Sequence, residues 1–506
     1  MEKTTKLLFN STEFFIFFPI VTAIYFLLSH KYRVYWLLAA SCLFYMTFIP
    51  KYIFILLSTI LVDYFAGLML HSVRDRRARR ACLLTSVILT CAILFVFKYY
   101  NFFNDSAAAI AAFLHIPYAV SALKIILPIG LSFHTFQSLS YVIEVYRGKQ
   151  APERNFWYYS LYVMFYPQLV AGPIERPQNL LHQFREEHVF EYQRVSHGLK
   201  LMAWGLFKKV VIADSLAILV NAVYENPTKF AGIPLIIATI FFAIQIYCDF
   251  SGYSDIAIGS AQVMGFNLMT NFDKPYFSKS VSEFWRRWHI SLSTWFKDYV
   301  YVSLGGNRAG MGRIAVNLMI TFLVSGLWHG ANWTFIVWGG LNGLYIVLAR
   351  FTDRAKTEVT KRLPSLATSF VVPDVFRVAG TFFLINLTWV FFRARTISEG
   401  FWILGNMGAG VAGTFHRLMA EGWKIIPAET FLGYQMGMDH FKFLECLLLI
   451  LLLFILERFQ SPRSLRQLFV NKAVWVRWPA YMVMAYSVLY FLLISSQKSQ
   501  FIYFQF

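Results

Sequence analysis

Apolar residues gather along this chain in blocks, near residues 14–28, 35–48, 52–70, 81–97, 125–146, 156–171, 201–224, 232–250, 314–328, 333–349, 376–393, 442–457 and 479–494. A helix needs about 20 residues to cross a bilayer, so the longer blocks predict membrane spans. The stretch from His71 to Arg80 holds five arginines between two such blocks, which places it on the cytoplasmic side. Counting back three spans puts the N-terminus outside, with Lys31 and Arg33 inside. Counting forward puts Arg147, Lys149 and Arg154 inside, in line with the same rule. The basic, apolar N-terminus lacks a small-x-small cleavage signal and reads as a retained helix.

Three places break the simple alternation. Phe156–Gly172 is apolar, but it has basic flanks on both sides (Arg154, then Arg176 and Arg185) and ends in Ala-Gly-Pro. That predicts a re-entrant or half-buried segment, tolerated at membrane depth only under a cover of protein or beside a water-filled cavity. Asp249-Phe250-Ser251-Gly252-Tyr253-Ser254-Asp255 attaches polar residues directly to an apolar block, which predicts a broken helix there. From there to Arg313 the chain is aromatic and basic together, centred on Glu283-Phe284-Trp285-Arg286-Arg287-Trp288-His289-Ile290-Ser291, and fits an interfacial helix or one dipping into the bundle. Blocks 314–328 and 333–349 each fall short of a full crossing. They meet at Gly326-Leu327-Trp328-His329-Gly330-Ala331-Asn332, which should hold His329 below the outer surface, within protein.

Composition agrees. Of 506 residues, 58% are hydrophobic and 14% charged, against about 45–50% and about 25% in ordinary soluble chains. Soluble, fibrous and disordered classes are excluded. Lys and Arg exceed Asp and Glu by 19, yet they cluster in short loops, so the excess marks membrane topology and no nucleic-acid partner is expected. The stretches 395–441, Gly-rich, and 458–477, basic, read as outside and inside. Five cysteines (Cys42, Cys82, Cys91, Cys248, Cys446) lack metal-binding spacing and read as free and buried; no metal site is expected. Gly408–Gly413 matches GxGxxG but follows no strand and reads as a loop; Walker A, H-E-x-x-H, G-x-S-x-G and CxxC patterns are absent from the sequence.

Ionisable groups inside membrane segments are costly and default to functional hypotheses. His329 reads either as a general base for hydroxyl attack or as a histidine satisfied by a carbonyl at a helix junction. His289 is a second catalytic or donor-positioning candidate, or an interfacial histidine beside tryptophan. Arg286 and Arg287 suit donor phosphates or lipid headgroups. Trp328, Asn332 and Ser291 flank the two histidines as candidate substrate contacts. Asp249 and Asp255 read as a proton relay or, preferably, as caps of the broken helix. For Asp63 and Glu144 a nearby Arg or Lys is the expected partner.

Several motifs resemble the membrane-bound O-acyltransferase family, and more closely its bacterial branch containing the alginate O-acetylation membrane protein. They are Leu127–Phe133 with Phe136-Gln137 and Tyr146-Arg147-Gly148, Phe165–Ile174 with Arg176, Asp249–Asp255, Phe284–Ser293, Gly326–Gly330 and the closing Phe501–Phe506. His134 departs from that pattern, where an aromatic residue is expected. The resemblance implies an all-α polytopic membrane protein: a ring of tilted transmembrane helices with re-entrant or interfacial helices around a thin centre, entered by funnels from both faces. It implies one domain over 1–506, with a catalytic core near 125–350 and a C-terminal extension near 376–506. It also implies that His329 is the principal catalytic histidine and His289 the second. The implied reaction moves an acyl group, acetyl above all, from a cytoplasmic thioester (acetyl-CoA or an acyl carrier protein) to hydroxyls of an exported polysaccharide. No bound cofactor is expected. Implied partners are membrane lipids and extracytoplasmic proteins that finish the transfer, and the implied location is the bacterial cytoplasmic membrane. D-alanyl transfer from a carrier to teichoic acid is the rival within the family, and a proton-coupled transporter the rival outside it.

Overall fold

The computed structural model describes residues 7–170, 172–308, 310–362, 373–413, 416, 419, 436–459, 474–494 and 501–502. Met1–Lys6, Ala171, parts of the 395–441 and 458–477 stretches, and Tyr503–Phe506 lie outside the described residues. Among the described residues there are helices and no strands. Among the described residues, seven helical stretches are long and apolar enough to cross a membrane: Pro50–Ser72, Arg76–Phe113, Ile233–Met264, Met311–His329, Trp333–Ala355, Asp374–Arg393 and Val474–Leu493. The chain is an all-α polytopic membrane protein.

It divides into two compact units, Met1–Leu206 with Gly252–Thr270, and Phe207–Ser251 with Asn271–Phe506. The first unit holds α1 (Thr12–Leu27), α2 (His30–Met46), α3 (Ile53–Ser72), α4 (Arg76–Leu94), α5 (Tyr100–Phe113) and α6 (Leu131–Tyr146). It continues through α7 (Phe156–Met164), α8 (Tyr166–Leu169), α9 (Pro177–Leu180) and α10 (Tyr192–Leu206). The block expected at 81–97 is the start of a longer rod: a π-turn at Phe95–Tyr99 joins α4 to α5 without a break. The block at 125–146 is the opposite case. Its first residues have no regular structure, and α6 starts only after Pro128, behind a left-handed Gly130. A Cβ on Gly130 would lie 2.8 Å from the Leu169 carbonyl oxygen, so the close approach and the positive φ both call for glycine. Phe156–Gly172 is no crossing helix, matching the pattern: nine-residue α7 and four-residue α8 are too short to span, and Tyr159–Val170 are all buried.

Asp63 is buried in α3, but its partners are hydroxyls rather than the expected cation. Ser86, Thr90 and Ser138 all donate to its carboxylate. Small hydroxyl side chains fit between packed helices where a long basic side chain does not. Glu144 does face Arg147, at 3.5 Å. Of the free cysteines, Cys248 and Cys446 are buried, Cys42 and Cys82 half-buried, and Cys91 is exposed on its helix.

The second unit holds α11 (Asp214–Glu225), the first part of α12 (Ile233–Met264), α13 (Val281–Arg287), α14 (Ile290–Trp295), α15 (Met311–His329), α16 (Trp333–Arg362) and the helices Asp374–Arg393, Ile397–Asn406, His440–Phe459 and Val474–Ile494. The expected break at Asp249–Asp255 is absent, because α12 runs unbroken through both aspartates. Two of the polar side chains there, Asp249 and Ser251, are met by lysines within reach of the helix. Lys209 Nζ lies 2.6 Å from Asp249 and 2.9 Å from Asp214, and Lys208 Nζ donates to Ser251 Oγ at 2.8 Å. Gly408–Gly413 forms a turn and the start of a helical segment, with no strand before it.

Blocks 314–328 and 333–349 are likewise longer in the structure than in the apolar pattern. α15 has 19 residues and α16 has 30, because polar and basic residues outside the apolar blocks continue both helices. The two pack backbone to backbone. A Cβ on Gly326 would overlap the Phe335 carbonyl oxygen, and one on Gly339 the Phe322 carbonyl oxygen. Gly339→Val should therefore force the pair apart, costing about 1–3 kcal/mol as overpacking. A lowered unfolding midpoint in detergent checks this, and an unchanged midpoint contradicts it.

Candidate active site

His329 is the last residue of α15, before the extended Gly330. It is 4% exposed, and its ring meets three aromatic side chains edge to face: Trp328 at 5.0 Å, Trp338 of α16 at 4.9 Å and Phe392 of the helix Asp374–Arg393 at 5.4 Å. Gly330 is as constrained as the helix pair behind it, because a Cβ there would overlap the Phe335 ring. The sequence expects His329 within protein, and on these sides that protein is aromatic. Such a wall excludes water and strengthens any hydrogen bond the imidazole makes with a reacting group.

His289 lies between α13 and α14 as a hinge residue. Its backbone is left-handed, φ 42° and ψ 57°, a region non-glycine residues rarely occupy and one that recurs at functional sites. Trp288 before it is extended, so the chain turns sharply and carries both side chains inward, each 1% exposed. Trp288 and His289 are thus turned into the protein, while Arg286 just before them stays exposed. The His289 ring stands edge-on to Phe250 of α12 at 4.6 Å and 6.3 Å from the Trp328 ring. Burial pushes this imidazole down to about 3, so the ring is uncharged near neutral pH.

One indole therefore connects the two histidines, which are 40 positions apart in the chain. Trp328 is at once 5.0 Å from His329 and 6.3 Å from His289, ring to ring. Behind it Trp338 stacks on Trp389 at 6.0 Å, and Trp389 meets Trp288 at 5.1 Å. Such contacts contribute about 0.5–1.5 kcal/mol each beyond area burial and leave little rotational freedom around the imidazoles.

The other candidates separate by what already occupies them. Ser291 is buried and donates its hydroxyl to Asn271 Oδ1 at 2.7 Å. Arg287 is held by Glu283 at 2.6 Å, whereas Arg286 is exposed and makes no ion pair among the described residues. Of the two arginines, Arg286 is thus the one placed to meet an anionic group. Asn332 caps α16, accepting from Thr334 N at 3.0 Å and donating to the Arg395 carbonyl at 3.1 Å. Asp249 is tied to Lys209 and accepts from Ile502 N at 2.7 Å. Asp255, half-buried, belongs to the first unit. His134 is buried in α6, also in the first unit.

Two residues of this neighbourhood carry no motif. Asn271 receives hydrogen bonds from the His289–Ser291 turn, and Asn342, fully buried in α16, accepts from Trp285 Nε1 at 3.2 Å. A polar residue within an apolar run is the signal available for Asn342. Asn271, in a short polar loop, gives none.

A buried imidazole at a helix end, a second, uncharged one across a shared indole, and an exposed arginine on the adjoining short helix make a set suited to moving protons between an alcohol and a leaving group. The sequence profile described as MBOAT, membrane-bound O-acyltransferase family, matches residues 154–392, the stretch that contains both histidines. A probable alginate O-acetylase from Pseudomonas putida is 39% identical over 77% of this chain and 78% of its own length. A peptidoglycan O-acetyltransferase from Helicobacter pylori is 31% identical over 99% of this chain and 98% of its own. A teichoic acid D-alanyltransferase from Streptococcus thermophilus is 28% identical over 46% of this chain and 59% of its own length. On the profile and on relatives aligned along most of their length, this chain belongs to the membrane-bound O-acyltransferase family and is an acyltransferase.

Proposed function

We propose that the protein moves an acetyl group from a cytoplasmic thioester, acetyl-CoA or an acyl carrier protein, to hydroxyls of an exported bacterial polysaccharide. The observation that carries this reading is the pair of buried imidazoles on one indole, His329 and His289 against Trp328. Relatives named for alginate and peptidoglycan O-acetylation support the acceptor class. In this scheme His329 takes the proton of the acceptor hydroxyl as its oxygen attacks the thioester carbonyl. The carbon–sulfur bond breaks, an ester forms, and the proton returns to the leaving thiolate, so atoms and charge balance. His289 orients the thioester or hands on that proton, and Arg286 meets the anionic part of the donor. In a covalent variant of the scheme the acyl group rests on His329 before reaching the alcohol.

The reading places the protein in the cytoplasmic membrane with the arginines of His71–Arg80 inside, the N-terminus outside, and extracytoplasmic acetylation proteins as partners. It treats residues 125–350 as the catalytic core of one domain and 376–506 as its extension. D-alanyl transfer is the weaker reading, since the relatives of that name align over less than half of this chain.

The test compares His329→Ala and His289→Ala with wild type at matched membrane levels, measuring ester-linked acetyl groups on exported polymers. Loss in both variants is expected. Full acetylation in both removes the enzymatic roles, and lost export of fully acetylated polymer points to a transporter.

A further inference from the structure

The His289–Ser291 turn is held by one side chain. Asn271 Oδ1 lies 2.7 Å from Ser291 Oγ, 3.2 Å from Ser291 N and 3.3 Å from His289 Nδ1. Asn271 O accepts from Ile290 N at 2.9 Å, and Asp273 N donates to Arg287 O at 2.9 Å, so the 271–273 segment is laced to the turn on both sides of His289. Asn271 is 1% exposed.

These contacts determine where the imidazole carries its hydrogen. A backbone N–H can only donate, so the Asn271 atom facing Ser291 N is the carbonyl oxygen, an acceptor without a hydrogen. An imidazole nitrogen hydrogen-bonded to that oxygen must then be the donor. Nδ1 of His289 carries the hydrogen, and Nε2 carries the lone pair. We infer that Asn271 is a positioning residue of the acyl-transfer site: it fixes His289 as the Nδ1–H tautomer and presents Nε2 as an acceptor. The inference rests on the reading of His289 as part of that site, and it narrows the role of this histidine. An acceptor Nε2 binds a hydroxyl or amide N–H of a substrate, and it can give a proton to a thiolate only after receiving one. It does not donate to the thioester carbonyl at the start of the cycle.

The groups packed against the ring leave Asn271 as the lever. Phe250 comes from α12 and Trp328 from α15, and neither titrates. Among the described residues, titratable groups near the ring include His329, beyond Trp328, and Asp249, beside Phe250 in sequence and tied to Lys209. A carboxylate at position 271 would keep the three acceptor contacts and add a negative charge beside Nδ1, favouring imidazolium.

The experiment uses the full chain in proteoliposomes, with acetyl-CoA as donor and a short glycan oligosaccharide as acceptor, following thiol release against pH. Asn271→Asp should raise the pH at which His289 takes up a proton by about one to three units, read from 15N spectra of histidine-labelled protein across pH. Asn271→Leu should lower kcat about tenfold to a hundredfold with the KM for acetyl-CoA unchanged. An unmoved His289 titration in Asn271→Asp overturns the inference, as does an Asn271→Leu variant with wild-type kcat. The same spectra give a further readout independent of activity, with His289 assigned by its loss in His289→Gln. Wild type should show hydrogen on Nδ1, and Asn271→Leu a mixture of tautomers. Hydrogen on Nε2 in wild type overturns the inference even if acyl transfer is confirmed. Unchanged transfer in His289→Ala and His329→Ala overturns the functional reading alone, since the spectra still report the tautomer.

Discussion

Replacing His329 with glutamine should lower acetyl transfer by about 10²–10⁴-fold, the usual contribution of a positioned general base. Each tenfold corresponds to about 1.4 kcal/mol, so the variant loses about 3–6 kcal/mol of transition-state stabilisation. Glutamine keeps a polar side chain of similar reach among Trp328, Trp338 and Phe392, so the aromatic wall should survive the change. What it lacks is a nitrogen that can accept and release a proton near neutral pH. The measurement is the initial rate of ester formation by the purified protein, with the unfolding midpoint recorded alongside. A rate within about threefold of wild type, at an unchanged midpoint, would remove His329 from the chemistry.

The sequence was most informative where solvent rules are strict. Long apolar blocks had to become helices, because a backbone surrounded by lipid must satisfy its own hydrogen bonds. It was least informative where polar residues are satisfied by distant parts of the chain. Asp249 looks like a helix breaker until Lys209, 40 residues earlier, is seen to pair with it within α12. Asp63 looks like half of an ion pair until three hydroxyls from two other helices converge on it. In the same way α5 extends a block that polar residues seemed to end, since Asn101 and Asn104 bond to carbonyls of the 120–123 segment. Within the candidate site, both histidines were legible because imidazole in an apolar setting is rare and costly. Their shared neighbour Trp328 stands beside His329 in sequence, but its approach to His289 depends on the turn at 288–290. Asn271 was not legible at all, because its role depends on the chain doubling back beside that turn.

Lys209→Met should destabilise the protein by about 3–5 kcal/mol, the typical cost of removing one partner from a buried ion pair. Lys209 is fully buried between two carboxylates, 2.9 Å from Asp214 and 2.6 Å from Asp249. Methionine fills much the same volume, so the loss is electrostatic: two aspartates remain with no cation between them. Neutralising all three positions, Lys209→Met with Asp214→Asn and Asp249→Asn, should recover most of that loss, since an uncharged, well-filled cluster is often no worse than the ion pair it replaces. Unfolding midpoints in detergent for the single and triple variants provide the comparison. A single variant within about 1 kcal/mol of wild type would mean that the cluster adds little to stability. The outcome also bears on the chemistry, because Asp249 precedes Phe250, whose ring stands against His289. If the triple variant regains stability but not transfer, the charges of this cluster matter to the reaction and not only to the fold. If it regains both, Lys209 serves to hold α12 unbroken beside the second histidine.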